Sequence, residues 1–404
     1  MAWQLTPTPE YVADDQQALE LLRLLTRKVE EDPGDLIGFD TETHGKKLPF
    51  TVGSGKPLDW MSDTVIFWSL SCKLGDEYRR WCLQQQHFQM FAGLLENPKA
   101  WFTAWNAKYD GHVSWNSGVN IWEANIVDGL NLSHLYDENL MDHGLKYCAE
   151  LWCGLKMTKY TDLFGDRDIH GDKIKEYVTS LLDLPLEKVS DYASYDAYAA
   201  LRTAEFLRDE LQKTQIDVND ASRTMWDHFL EMEMDITKTL WRMERRGLPV
   251  NSEYLNAKIP EINEQIEEYL RDINRQAGWP VNVEAPAQLA QLFFGSPKDK
   301  DQRGLGLIPV KMTPGGKKGP QASTDREVMD ALKDAGIDLA LSIINVRSLL
   351  KTRNTYLETL RDLAEYYDDH RIHPSFHQHG ARTGRFSTSV PNSQNFCNGS
   401  FQTM

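Results

Sequence analysis

Through the first 150 residues, helix-spaced apolar positions alternate with short apolar runs. Asp14–Glu30 carries the helical period and predicts an amphipathic helix. Leu36–Thr41 (LIGFDT) is a short apolar run ending in carboxylates, which predicts a core strand. Thr64–Ser71 (TVIFWSLS) is rich in β-branched and aromatic residues and predicts a second strand. Gln84–Glu96 is expected to be helical, stopped by Asn97-Pro98, and Ala100–Trp105 (AWFTAW) to form the next strand. Strands alternating with helices imply an α/β layer.

The pattern then changes. Residues 151–185 are less regular, and Phe164–Asp172 reads as loop. Leu186–Leu211 is expected to be one long helix. Val218–Asp220 is the best boundary, giving parts 1–218 and 219–404. Met225–Arg246 and Tyr254–Arg275 follow as long periodic helices. Lys298–Pro320 gathers Gly, Pro and Lys and reads as a surface loop. Thr324–Ala335 and Asp338–Tyr366 are helical again. The last forty residues turn to His, Ser, Thr, Asn and Gly, with little helix. No internal repeat is apparent.

Composition narrows the class. A chain of 404 residues holds two to three domains, and 41% hydrophobic with 26% charged residues is ordinary for a globular protein. No stretch approaches the roughly 18–20 apolar residues that span a bilayer, and no secretory signal opens the chain. Five cysteines (Cys72, Cys82, Cys148, Cys153, Cys397), with no CxxC pair, suit a reducing cytosol, so a cytoplasmic location is expected. Cys148 and Cys153 have no matching pair for a zinc site. The formal charge of −16 by itself argues against a nucleic-acid binder. It is unevenly spread: Arg303–Met404 carries 13 Lys/Arg against 10 Asp/Glu, a net of +3, leaving −19 in the first 302 residues. That split suggests two parts with different duties, or ordinary variation.

Candidate chemistry lies in carboxylates. Asp40 and Glu42 end a strand, and at i and i+2 they leave the same face. Two such groups repel unless a hard cation such as Mg²⁺ sits between them, though a solvated strand end is the plainer alternative. Asn106 and Asp110 are i and i+4 at a helix start, where Asn106 alone would read as an N-cap. Tyr192 and Asp196 are again i and i+4, on what is otherwise one face of an ordinary helix. Together the groups fit a site in which two ions about 3.5–4 Å apart clamp a scissile phosphate. Mg²⁺ and Mn²⁺ both suit such oxygen ligands.

FDTET, WNAKYD and YASYD, in that order, resemble the three exonuclease motifs of the DEDD superfamily. The tyrosine four residues before the last aspartate marks its DEDDy branch. That branch includes the proofreading domain of family A DNA polymerases and the ribonuclease D group. The resemblance implies an α/β ribonuclease H-like exonuclease domain using two divalent cations. Asp40 would bridge both ions, Glu42 and Asp196 would complete one site, and Asp110 would hold the second through water. Tyr192 would position the nucleophile and Asn106 would support the terminal nucleotide. Asp128-Gly-Leu and HGLKYCAELWCG (His143–Gly154) also resemble the family's segment between its second and third motifs.

The second half resembles the start of a family A polymerase domain, a mostly α-helical partial polymerase (thumb) region. Phe229–Asn251 resembles its entry helix, and Trp279–Gly295 its N-x-x-S-P-x-Q-L helix, with Ala285 where serine is usual. Gln321–Leu332 resembles the PST-x-E-x-x-L segment, Val346–Leu360 the thumb helix, and Arg371–Phe396 the return from thumb to palm. Lys351 and Arg353 offer a phosphate-contacting face in the context of this resemblance, and a solvated basic helix end without it. The resemblance places Arg385, after Thr383-Gly384, at the minor groove near a primer terminus, with Gln394 and Asn395 nearby. Arg382 is a weaker candidate, and the loop Lys311–Lys318 could touch DNA backbone but reads better as a disordered, solvated loop. The palm aspartates and the fingers helix, which normally follow, do not occur before Met404. The expectation is therefore a 3′→5′ exonuclease on DNA primer-template or single-stranded 3′ ends that does not incorporate nucleotides alone. Either a second polypeptide supplies fingers and palm, as would suit a bacteriophage split polymerase working in the host cytoplasm, or the chain is a fragment. An RNA 3′ exonuclease of ribonuclease D type, and a non-catalytic DNA-binding clamp subunit, are the alternatives.

Overall fold

The computed structural model describes residues 6–163, 180–217, 220–296, 304–314 and 319–395. The expected loop Phe164–Asp172, the centre of the Val218–Asp220 boundary, much of Lys298–Pro320, residues 315–318 of the Lys311–Lys318 loop and Cys397 lie outside the described residues. The chain divides into two compact units, one of Met1–Gly247 with His373–Asn395 and one built on Leu248–Ile372.

The first unit is a mixed sheet with helices against it. Its strands are β1 (Pro9–Tyr11), β2 (Leu36–Thr43), β3 (Val65–Leu74), β4 (Glu77–Gln84), β5 (Trp101–Ala104) and β6 (Asn125–Asp128). Their spatial order is β1-β4-β3-β2-β5-β6. β2, β3 and β4 pair antiparallel; β5 and β6 add on parallel, as does β1 against β4. Helix α1 (Asp15–Glu31) starts where the Asp14 carboxylate accepts the Gln17 N–H at 2.9 Å, and buries Ala18, Leu21, Leu25 and Val29. Helices α2 (Ala107–Asn116), α3 (Gly129–Tyr136), α4 (Leu145–Cys153) and α5 (Leu186–Leu211) follow. α5 matches its expected span. It lies on β2 and β3 through small buried residues, Ala193, Ala197, Ala200 and Ala204.

One expectation is corrected. Gln84–Glu96 is not a helix. Gln84 ends β4, and two 3₁₀ turns (Gln85–His87, Gln89–Phe91) lead to the four-residue helix Ala92–Leu95. Trp68↔Leu83 and Phe67↔Gln84 keep the start of this segment in the β3 ladder. Phe88, Phe91 and Leu94 are buried at intervals of three, the spacing of a 3₁₀ turn rather than an α-helix.

The helix expected over Met225–Arg246 is continuous, with a π-helical turn at Phe229–Glu233 before α6 (Met234–Arg246). It packs with the first unit. So does the segment after His373, where Ser375–His377 pairs antiparallel with Ser387–Ser389.

The second unit holds α7 (Ser252–Ala277), α8 (Pro286–Phe294), α9 (Arg326–Asp334), α10 (Asp338–Lys351) and α11 (Thr359–Tyr366). The last two are joined by a π-helical stretch, Thr352–Glu358, into the single run expected over Asp338–Tyr366. Ile259, Ile262, Ile266, Leu289, Phe293, Ile343 and Leu350 form its core. Arg347 ties α10 to the carbonyls of Val283 and Thr324, each at 2.8 Å. Among the described residues no helix is long and apolar enough to cross a membrane.

Candidate functional site

The site grows from the end of β2. Period two puts Asp40 and Glu42 on one face of the sheet, and a register shift between Glu42 and Thr43 marks where the ladder with β3 loosens. On the other edge, pairing with β5 stops at Gly38↔Thr103. Beyond that point the Asp110 carboxylate accepts the Thr41 N–H at 3.1 Å. The Thr41 hydroxyl donates to the same oxygen at 2.6 Å. Thr43 Oγ1 and the Tyr109 hydroxyl meet at 2.9 Å one turn away.

Asp110 sits in the first turn of α2. The chain enters that helix through Asn106 in the left-handed region (φ 70°), which asparagine tolerates better than most side chains. Asn106 occupies the N-cap position, but its side chain makes no capping bond and is exposed. Its N–H instead donates to Asp128 at 3.0 Å, and the same carboxylate oxygen accepts from Leu130 N at 3.0 Å. A buried carboxylate thus fixes the turn that presents Asp110.

Tyr192 and Asp196 come from α5. Gly38 permits their approach: a Cβ at that position would lie 2.1 Å from the Ala197 carbonyl oxygen. With the helix this close, carboxylate oxygens of Asp40, Glu42 and Asp196 all lie within 4.8 Å of one another. Asp110 stands outside that trio, turned to Thr41, although its charge is felt at Asp40 and Glu42. Tyr192 hydrogen-bonds Asp196.

Four crowded carboxylates, Asp110 buried and Asp40, Glu42 and Asp196 half-buried, resist ionisation. Burial first, then mutual repulsion, holds Asp40 and Glu42 well above the usual carboxylate range. Burial pushes Asp110 and Asp196 up to about 7, the first against the Thr41 hydrogen bonds that favour its charge. Burial also raises the Tyr192 hydroxyl, so it stays protonated. One cation offsets the repulsion, Lys146 on α4, whose charge acts on Asp40, Glu42 and Asp196. Lys146 lies inside the His143–Gly154 segment quoted above, but sequence reasoning gave it no role. Thr41 was missed too, because its hydroxyl matters only through a helix some 69 residues away in sequence.

The residues expected to touch a DNA backbone are spread over both units. In the second, Lys351 is exposed, while Arg353 is half-buried and donates to Asn263 Oδ1 at 2.9 Å and Asn354 Oδ1 at 2.8 Å. Lys311 pairs with Asp325 at 3.0 Å and Glu327 at 2.6 Å. In the first, Arg382 and Arg385 are exposed, and Gly384 takes φ 71°. Gln394 Nε2 donates to the Phe386 carbonyl at 2.6 Å. The Asn395 side chain lies outside the described residues.

Comparison with known proteins matches residues 9–212 to the family described as 3′-5′ exonuclease and residues 252–402 to DNA polymerase family A. The chain is 30% identical to the DNA polymerase I of Chloroflexus aurantiacus over 308 residues, 75% of this chain and 29% of that protein. It is 28% identical to the DNA polymerase I of Pseudomonas aeruginosa over 75% of this chain and 30% of that one. DNA polymerase DpoZ of Acinetobacter phage SH-Ab 15497 is 25% identical over 71% of this chain and 45% of its own length. The chain therefore spans less than half the length of these relatives. A solved structure of the POL domain of Pol1 from M. smegmatis, in complex with DNA primer-template and dNTP, shares the fold. Its TM-score is 0.68 at 18% identity, covering 96% of this chain and 55% of that one.

Proposed function

Since the chain belongs to the 3′-5′ exonuclease family and continues into a family A polymerase region, we propose that it removes nucleotides from DNA 3′ ends at Asp40, Glu42, Asp110 and Asp196. The observation that carries this is the convergence of three half-buried carboxylates from two elements, with oxygens within 4.8 Å. Such a donor set fits divalent cations: hard oxygen ligands whose mutual repulsion and burial hold Asp40 and Glu42 well above the usual carboxylate range, a strain that a bound cation would relieve. Asp40, Glu42 and Asp196 would hold one ion and Asp110, with Asp40, a second. Mg²⁺ or Mn²⁺ bound there would supply Lewis acidity toward a phosphodiester and lower the pKa of water.

The residues of the chain do the rest. Asp128 and Thr41 keep Asp110 aimed at the open edge of β2. Tyr192 stays protonated and hydrogen-bonded to Asp196, and its hydroxyl would orient the attacking water. Asn106, exposed at the start of α2, would support the terminal nucleotide. The polymerase-like region, through Lys351, Arg353, Arg385, Gln394 and Asn395, favours DNA over RNA as substrate.

The test offers purified chain a 3′-mismatched DNA with Mg²⁺ or Mn²⁺, and RNA in parallel. Shortening of DNA from the 3′ end, lost in Asp40→Ala and Asp196→Ala, is the expected result. Degradation of RNA alone would support the ribonuclease D reading. DNA binding with no shortening would support the clamp reading. Primer extension by the chain, alone and with a candidate fingers-and-palm polypeptide, tests whether incorporation needs a partner.

A further inference from the structure

Lys146 has no role in the reading above, yet it is the cation whose charge reaches three of the four carboxylates. It is half-buried on α4. Its ammonium donates to the Thr158 carbonyl and to the Tyr192 hydroxyl at 3.3 Å, and lies 4.8 Å from the centre of the Tyr192 ring. Tyr160 meets the same ring edge-on with centroids 6.3 Å apart. Tyr192 is thus enclosed by a charge and an aromatic edge.

We infer that Lys146 is a positioning residue of this site, fixing the direction of the Tyr192 hydroxyl and standing beside the carboxylates as a charge that never ligates. This rests on the nuclease reading. An ammonium only donates, so the Tyr192 oxygen must accept from it. The tyrosine's own proton is then directed away from Lys146, toward Asp196 or a water. A neutral neighbour would leave the hydroxyl free to rotate. The same charge has a second consequence of opposite sign. It offsets repulsion among Asp40, Glu42 and Asp196, and it also repels any divalent cation they bind.

The two effects separate Lys146 from a residue that merely supports the fold. Loss of support weakens both metal binding and turnover. Loss of this lysine lowers turnover but tightens metal binding. Mn²⁺ affinity of the full chain is measured by calorimetry without DNA, and turnover on a 3′-recessed DNA by quench-flow. Lys146→Met is expected to bind Mn²⁺ about three- to tenfold more tightly. Its kcat is expected to fall about 10- to 100-fold with KM nearly unchanged. Lys146→Arg, which keeps the charge, restores parental Mn²⁺ affinity and part of kcat. In a Tyr192→Phe background the Met substitution costs less than about threefold further, because the two residues act through one hydroxyl. Lys146→Gln carries the test if the Met variant does not fold.

Lys146→Met with weaker or unchanged Mn²⁺ affinity overturns the proposal. So does a full additional loss in the Tyr192→Phe background. A parent chain that neither binds Mn²⁺ nor shortens DNA removes the nuclease reading and this inference together. An active parent with an indifferent Lys146 removes the inference alone.

Discussion

Gly38→Ala is the sharpest test of how the site is assembled. Gly38 stands in β2 two residues before Asp40, under the turn of α5 that carries Asp196. A methyl group built there lies 2.1 Å from the Ala197 carbonyl oxygen and 3.0 Å from Leu201 Cβ. The first contact is with backbone, so no side-chain rotation relieves it. To reach ordinary van der Waals contact at 3.4 Å, α5 and β2 must part by about 1.3 Å. Overpacking of this kind costs about 1–3 kcal/mol, well inside the ~5–15 kcal/mol that keeps a domain folded. The chain should therefore remain folded, with a melting temperature lower by only a few degrees.

The carboxylate cluster, as a proposed metal site, is less forgiving. Ligand distances tolerate only about 0.2 Å, and Asp196 moves with Ala197. Separating it from Asp40 and Glu42 should weaken Mn²⁺ binding at least about tenfold, and a displacement near 1 Å can lower turnover about 100-fold. Calorimetry reads the affinity, a 3′-end degradation assay the turnover, and near-ultraviolet circular dichroism the fold. Gly93→Ala is the control, since nothing lies within 4 Å of a methyl group there. If Gly38→Ala keeps parental affinity and turnover, the close helix–strand contact is not what assembles the site. If the losses appear only with collapse of the tertiary signal, the argument fails as well.

Three further outcomes follow from the electrostatics. Burial raises Asp110 and Asp196 to about 7 and Asp40 and Glu42 well above their ordinary range, so the metal-free native chain binds more protons than the unfolded one between about pH 4 and 7. Its stability must fall as pH rises through that window, while cation affinity must climb. Melting curves should show this slope in the parent and a flatter one in the Asp40→Asn, Asp196→Asn double variant. Equal slopes would refute it. Glu244→Gln leaves Lys108 buried without its counter-charge and should cost about 3–5 kcal/mol by denaturant unfolding; a loss under about 1 kcal/mol would show the pair to be dispensable. Thr41→Val removes the 2.6 Å hydrogen bond to Asp110, worth about 1.5–3 kcal/mol to the ionised form. The pH of half-maximal Mn²⁺ affinity should rise, and an unmoved midpoint would mean that Asp110 does not contribute to binding.

Local chemistry was legible and distant contact was not. Period two alone puts Asp40 and Glu42 on one face, and a helical repeat puts Tyr192 and Asp196 on another, but no local pattern brings those faces together. Their meeting depends on Gly38 and the small residues Ala193 and Ala197, whose meaning appears only when strand and helix touch. β4 escaped notice because two arginines sit at its centre. Arg80 is buried there, satisfied by the carbonyls of Pro7 and Asp191, the Asp191 carboxylate and the Ser194 hydroxyl. A polarity pattern cannot register an arginine buried with four hydrogen bonds to other parts of the chain.

The boundary near residue 218 shows the same limit from the other side. An amphipathic helix announces that it buries a face, not which unit it buries it in. α6 buries Glu244, and that carboxylate takes His112 Nε2 at 2.8 Å, the Phe376 N–H at 2.7 Å, and the Lys108 ammonium, which also donates to the Phe376 carbonyl. Trp60 stacks on His112 with centroids 3.7 Å apart. Lys108 and His112 flank Asp110 on α2. The helix that presents Asp110 is therefore held by residues from beyond the exonuclease match at 9–212, reaching as far as residue 376. Asn131 adds a second tie, to Thr237 and Gln378, each at 3.1 Å. The candidate site and the polymerase-like sequence are thus tied by shared buried hydrogen bonds within one compact unit.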